Sequence, residues 1–217
     1  MKKKLLIFDL DGTIADTIYS IRDAVNLTMR KYGFPERTYE QTRDAIGNGA
    51  RQLIYLSMPD DKRGDSELID RVLADYDAFY GQTYDRVEDC YDGMEHALRT
   101  LRARGYTLAV LSNKQDEYVK KIMAYLFEKD FFIEAQGQTE LPRKPDPTVP
   151  LMIASAAGVL AEECAFIGDS DVDVLTGKNA GMATVACSWG YRPRELLLEC
   201  GADFLIDEPG ELLDIFE

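Results

Sequence analysis

The chain has 217 residues, 46% of them hydrophobic and 29% charged, which are the proportions of a soluble globular protein and not of a disordered or membrane one. That length accommodates one core of ordinary size and a small additional module. Lys and Arg number 25 against 39 Asp and Glu, a net charge of −14, so nucleic acid and membrane surfaces are not expected partners and an anionic ligand would need a locally positive site.

The first residues, Met1-Lys2-Lys3-Lys4-Leu5-Leu6-Ile7-Phe8, imitate the basic and apolar regions of a signal peptide, but Asp9 and Asp11 cut the apolar run short and no small-residue cleavage site follows. No stretch approaches the ~20 apolar residues of a membrane helix, and the expected location is the cytoplasm. The scattered cysteines Cys90, Cys164, Cys187 and Cys200 form no C-x-x-C pair, which argues for reduced thiols rather than a zinc site or disulfide framework.

Lys4–Phe8 reads as a short buried strand that runs into Asp9-Leu10-Asp11-Gly12-Thr13. Asp11-Gly12 is also a hairpin signal, but Ile14, Ile18, Ile21, Val25 and Met29 follow at helical spacing until Gly33-Phe34-Pro35. From Asp16 to about Asp89 the sequence predicts helices only, broken at Gly33–Pro35, Gly47–Gly49 and Pro59–Gly64. Strand and helix then alternate. A helix at Met94–Arg104 stops at Gly105, a strand at Tyr106–Leu111 leads to Ser112-Asn113-Lys114, and a helix covers Asp116–Leu126. A strand at Phe131–Ala135, a proline-rich loop at Pro142–Pro147 and a helix at Thr148–Ala157 come next. Strands at Cys164–Ile167, Ala183–Ala186 and Phe204–Ile206, with a helix at Val172–Asn179, complete the series. This alternation predicts a parallel α/β sheet with helices on both faces.

Ligands of such sheets sit beyond the carboxyl ends of the strands. Asp9 and Asp11, Ser112 and Asn113, and Asp169, Asp171 and Asp173 all leave strands at that edge, and the Lys144 loop precedes a helix. Each piece has a plainer explanation alone: an acidic turn, a helix cap, an exposed P-x-x-P segment, an acidic helix start. Neither D-x-D segment fits an EF-hand, because Ile14 and Val174 stand where glycine is required. Gly177-Lys178-Asn179 lacks the rest of a P-loop, and a lone His96 without G-x-S-x-G opposes a serine-hydrolase triad. Taken together, Asp9, Asp11, Asp169 and Asp173 would repel one another without a cation. Oxygen ligands at that density suit Mg²⁺ beside a phosphate, and a hydroxyl, backbone N–H groups and one lysine suit the equatorial oxygens of a phosphoryl group.

With these four motifs in order, the sequence resembles the haloacid dehalogenase superfamily over nearly its whole length. They are Asp9–Thr13, Ser112-Asn113, Lys144 in Lys144-Pro145-Asp146-Pro147, and Gly168-Asp169 through Asp173. Ile46–Arg51 and Tyr91-x-Gly93 look most like its phosphoglycolate phosphatase branch. The resemblance implies a Rossmann-like α/β core over residues 1–15 and 90–217, with an inserted α-helical cap over residues 16–89. It implies an Mg²⁺-dependent phosphatase acting on a small phosphorylated metabolite. Asp9 would be the nucleophile that forms an aspartyl-phosphate and Asp11 the general acid and base. Ser112 and Lys144 would stabilise the transferring group. Asp9, Asp169 and the Asp11 carbonyl would hold the metal, with Asp173 acting on it indirectly, through the groups around it or a water. Family dehalogenases expel halide without a proton donor, so Asp11 points to phosphate chemistry. Thr13, Asn113, Gly49 and Arg51 are the expected substrate contacts, Arg51 meeting the substrate's far end as the cap closes. A monomer or homodimer is expected. The alternatives are a sugar-phosphate mutase of the same superfamily and a phospho-acceptor signalling module.

Overall fold

The computed structural model describes residues 3–84 and 89–217. Residues 85–88, which the sequence assigns to the helical insertion, lie outside the described residues, as do residues 1 and 2 of the basic start. Packing divides the chain into a sheet unit, Met1–Asp16 with Asp89–Glu217, and a helical unit, Thr17–Glu88.

In chain order, β1 (Leu5–Phe8) precedes four helices, α1 (Ile18–Lys31), α2 (Tyr39–Ala45), α3 (Ala50–Ser57) and α4 (Ser66–Tyr80). Then come α5 (Met94–Ala103), β2 (Thr107–Gln115), α6 (Asp116–Leu126), β3 (Glu134–Gln138) and α7 (Thr148–Ala156). The chain ends with β4 (Cys164–Gly168), α8 (Asp171–Asn179), β5 (Ala183–Cys187), α9 (Arg194–Glu199), β6 (Phe204–Ile206) and α10 (Leu212–Ile215).

All strand pairs are parallel, in the order β3-β2-β1-β4-β5-β6. The four side chains of β1, two toward each face, are wholly buried, so both faces are covered, as parallel sheets require. Right-handed crossovers put α5 and α6 on one face and α7, α8 and α9 on the other. On the second face Val149 and Ile153 of α7, with Ala180 and Met182 beyond α8, meet Leu5, Ile7 and Phe166 in one cluster. The chain runs outward from β1 to β3 and then returns to β1's other side as β4. The β1/β4 edge is therefore the switch point where this topology opens a crevice.

In the helical unit the expected stripe Ile18, Ile21, Val25 and Met29 is buried along α1, which packs on α4. Tyr76 and Tyr80 stack 5.7 Å apart on the buried side of α4. Thr38 and Gln41 close a reciprocal cap on α2, and the Arg37 guanidinium donates twice to the Ser57 carbonyl, at 2.7 and 2.5 Å. Among the described residues no helix is long and apolar enough to cross a membrane.

Three boundaries differ from the sequence-based expectations. The first helix starts at Ile18, not Ile14. The N–H groups of Thr13, Ile14 and Ala15 all donate to the Leu10 carbonyl in a tight turn, and Ile14 is buried in the sheet unit rather than on a helix face. The third strand starts at Glu134, because Phe131 and Phe132 pack with Phe127 at ring separations of 4.8 and 5.2 Å instead of extending. The second strand does not end at Leu111 but continues through Ser112, Asn113 and Lys114 to Gln115. Helices α9 and α10 are too short to show a period and were not anticipated.

Candidate active site

The two central strands end side by side. Phe8 is paired with Ile167, and the Asp9 N–H continues the ladder by donating to the Ile167 carbonyl at 2.9 Å. Asp9 thus leaves β1 directly beside the Gly168-Asp169 exit of β4. Asp9, Asp169 and Asp173 are all buried, and each offers an oxygen within 4.8 Å of the others. They are the acidic group among the described residues with this geometry.

Lys144 supplies the counter-charge. Its side chain is 2% exposed, and Nζ lies 2.9 Å from Asp9 Oδ1 and 2.7 Å from Asp173 Oδ1. The loop that delivers it is clamped by Asn113, whose Oδ1 accepts from the Lys144 N–H at 3.0 Å while Nδ2 donates to the Lys144 carbonyl at 3.1 Å. Asp173 is oriented by Ser170, the N-cap of α8: Asp173 Oδ2 accepts from the Ser170 N–H at 3.0 Å and from its hydroxyl at 2.5 Å. Asp169 accepts from the Thr13 hydroxyl at 3.1 Å and from the Tyr191 N–H at 2.7 Å. The Leu10 N–H, at 2.7 Å, holds the same Asp9 oxygen as Lys144 does.

One ammonium among three buried carboxylates leaves the cluster short of positive charge. Burial, with Asp173 and Asp11 adding and Lys144 opposing, pushes Asp9 up to about 7. Burial and the neighbouring Asp173 and Asp9 carboxylates raise Asp169 well above its ordinary range. Burial acts to lower Lys144, but Asp173 and Asp9 outweigh it and hold the ammonium above its usual value. An all-carboxylate set of this compactness fits a hard divalent cation such as Mg²⁺.

The Asp11 carboxyl stands apart from that cluster, with Oδ1 3.2 Å from Lys114 Nζ. Gly12, which links it to Thr13, has φ +84°, and a Cβ there would lie 2.5 Å from Asp169 Oδ2. The turn therefore demands glycine twice, for its dihedral and for its clearance. Ser112 is buried at the start of a bulge: Leu111 faces Gln136 and Gln115 faces Gln138, so β2 advances four residues while β3 advances two. Bulges re-aim side chains at the rims of sites, and this one presents Ser112, Asn113 and Lys114 beside β1. Its close approach to β3 requires Gly137, where a Cβ would sit 2.5 Å from the Lys114 carbonyl.

The structure thus brings Asp9, Asp169, Asp173 and Lys144 into direct contact or close proximity, with Thr13 and Asn113 bonded to members of the set. Gly49 and Arg51 belong to the helical unit: Gly49 precedes α3 with φ +80°, and the exposed Arg51 guanidinium pairs with Asp70. Ser170, Tyr191 and Lys114 were not singled out from the sequence. Ser170 stands three residues before Asp173, a capping signature visible in sequence, and Lys114 sits two residues after Ser112. Tyr191 contributes a backbone group, which residue identity does not reveal.

Residues 6–187 match the model of the haloacid dehalogenase-like hydrolases. A Vibrio vulnificus protein called phosphoglycolate phosphatase is 32% identical over 217 residues, covering 98% of this chain and 95% of its own. A crystal structure from Lactobacillus delbrueckii subsp. bulgaricus, provisionally described as a phosphoglycolate phosphatase, is 28% identical with a TM-score of 0.89 over 100% of this chain and 99% of that one. One from Haemophilus somnus, described in similar terms, is 25% identical with a TM-score of 0.92 over the same shares. The extent of the family match and the full-length likeness to these relatives establish that the chain belongs to the haloacid dehalogenase-like hydrolases.

Proposed function

We propose that this hydrolase is a Mg²⁺-dependent phosphatase that cleaves a small phosphomonoester of the phosphoglycolate type through an aspartyl-phosphate. The observation that carries the reading is the buried meeting of Asp9, Asp169 and Asp173 around Lys144 at the switch point of the sheet. The name shared by the curated relatives supports the substrate class.

In this reading an Asp9 carboxylate oxygen attacks phosphorus as the bond to the leaving oxygen breaks, and Asp11 gives that oxygen its proton. Asp11 then takes a proton from the water that attacks the aspartyl-phosphate, which releases inorganic phosphate and restores Asp9. The Leu10 N–H and Lys144 fix the Asp9 carboxylate for attack. Lys144 and the Ser112 hydroxyl stabilise the charge of the transferring group. Asn113 acts through its clamp on Lys144 and Thr13 through Asp169. Mg²⁺, held by Asp9, Asp169 and the Asp11 carbonyl with Asp173 in the surrounding shell, would neutralise charge on the phosphoryl oxygens. The helical unit corresponds to the family's cap.

The test is phosphate release from a panel of phosphomonoesters, with Mg²⁺ and with chelator. Metal-dependent release is expected, with Asp9→Asn lowering it by more than about 10³-fold. Turnover that survives in Asp9→Asn would rule out the covalent route. A retained phosphoenzyme with bisphosphate-dependent isomerisation would instead identify a mutase.

A further inference from the structure

The loop between β5 and α9, residues 188–193, reaches the acidic cluster and has no part in the proposed chemistry. Gly190 passes so close to β4's exit that a Cβ there would collide with the Asp169 side chain. The next residue, Tyr191, is buried, and its N–H donates to Asp169 Oδ2 at 2.7 Å. Its ring backs the turn after β1, where a Cβ on Gly12 would lie 2.9 Å from Tyr191 Cδ2. Its hydroxyl donates to Asp16 Oδ1 at 3.0 Å, at the far end of the same turn. Beside it, the Trp189 indole N–H donates to the Thr13 carbonyl at 3.1 Å.

Asp9 and Asp169 leave different strands, so a cation that takes an oxygen from each needs the turn after β1 and the exit of β4 held in fixed relation. The β1–β4 ladder does this only as far as the Asp9 N–H on the Ile167 carbonyl. Beyond that point Tyr191 spans the two segments, together with the Thr13 hydroxyl on Asp169. Groups that orient metal ligands in this way set metal affinity as strongly as many ligands do. We propose that Tyr191 is a positioning residue of the cation site: its backbone fixes Asp169, while its ring and phenol fix the turn that carries Asp9 and Asp11. The assignment rests on the reading that Mg²⁺ is held there. Asp16 is also the last residue of the sheet unit, so one side chain grips both a cation ligand and the point where the chain leaves that unit.

The experiment measures the Kd for Mg²⁺ alone in the full chain, without substrate. The signal is the fluorescence of Trp189, the single tryptophan, with the Mg²⁺ dependence of Tm as a second readout. Tyr191→Phe keeps the ring and the N–H, and is expected to raise the Kd by about 10-fold. In an Asp16→Ala background the same substitution is expected to change the Kd no further, because the pair is already broken. Asp16→Asn keeps an acceptor and is expected to retain most of the affinity. An unchanged Kd in Tyr191→Phe, or an equal rise in both backgrounds, would overturn the assignment. A lower Tm without Mg²⁺ beside an unchanged Kd would show that the phenol serves stability alone, and the assignment would fall. A wild type that binds no Mg²⁺ at millimolar concentration by either readout would instead bring down the cation reading, and this assignment with it.

Discussion

Asp9 is held by two opposing demands. The nucleophilic role proposed for it calls for a carboxylate, whereas its burial favours the neutral acid and raises its pKa from 3.8 to about 7. The native metal-free protein therefore binds this proton more tightly than the unfolded chain does. Stability linked to it is present below the unfolded value and is lost as pH rises from about 4 to about 7. A divalent cation binds the ionised carboxylates, so its stabilisation should grow over the same interval. The expected result is a larger rise in Tm on adding ~10 mM Mg²⁺ at about pH 8 than at about pH 5.5. A rise that is equal at both, or larger in acid, would contradict this account of the cluster. Asp9→Asn, which removes a buried ionisable group that gains little from folding, should leave Tm at pH 8 unchanged or raise it by about 2–4 °C. A clear fall in its thermal melt would mean that the Lys144–Asp9 pair contributes to stability more than burial takes away.

At the scale of elements, the site is built on short deviations from regular structure. The turn after β1 and the bulge in β2 each interrupt a regular ladder beside the candidate site, and α8 begins there at a reciprocally capped end. The bulge depends on Gly137, because a side chain there would meet the backbone of both Lys114 and Asp116 at 2.5 Å. Gly137→Ala is accordingly expected to cost about 1–3 kcal/mol by overpacking. It should lower kcat by displacing Ser112, Asn113 and Lys114. A chemical denaturation curve and a rate measurement check the two parts, and full activity at wild-type stability would show that β2 accommodates the extra carbon by shifting.

The whole molecule carries a net charge of −14, which opposes the approach of an anionic substrate, while the cations of the sheet-unit site, Lys144 and Lys114, are buried. Salt screens exposed charges far more than buried pairs. Raising ionic strength from ~10 to ~150 mM should therefore lower KM for a phosphomonoester by about two- to three-fold, with kcat little changed. A KM that climbs with salt would mean that exposed cations outside this cluster guide the substrate.

Much of this architecture could be read from the sequence because its signals are local. Apolar runs of four or five residues alternating with helical periods are enough for a parallel α/β sheet, and the four motifs are short local segments that follow one another along the chain. The acidic pair after β1 and the Gly168-Asp169 exit were legible for the same reason. The tertiary structure alone decided which charges meet. Lys144 bonds Asp173 as well as Asp9, Lys114 lies on Asp11, and Asn113 clamps a loop 31 residues away. The extension and bulge of β2 and the turn that ends in Ile14 and Ala15 were equally invisible. Strand order and register bring these groups together, and neither leaves a trace in the periodicity of a single segment, which records only the face that each residue turns toward the core.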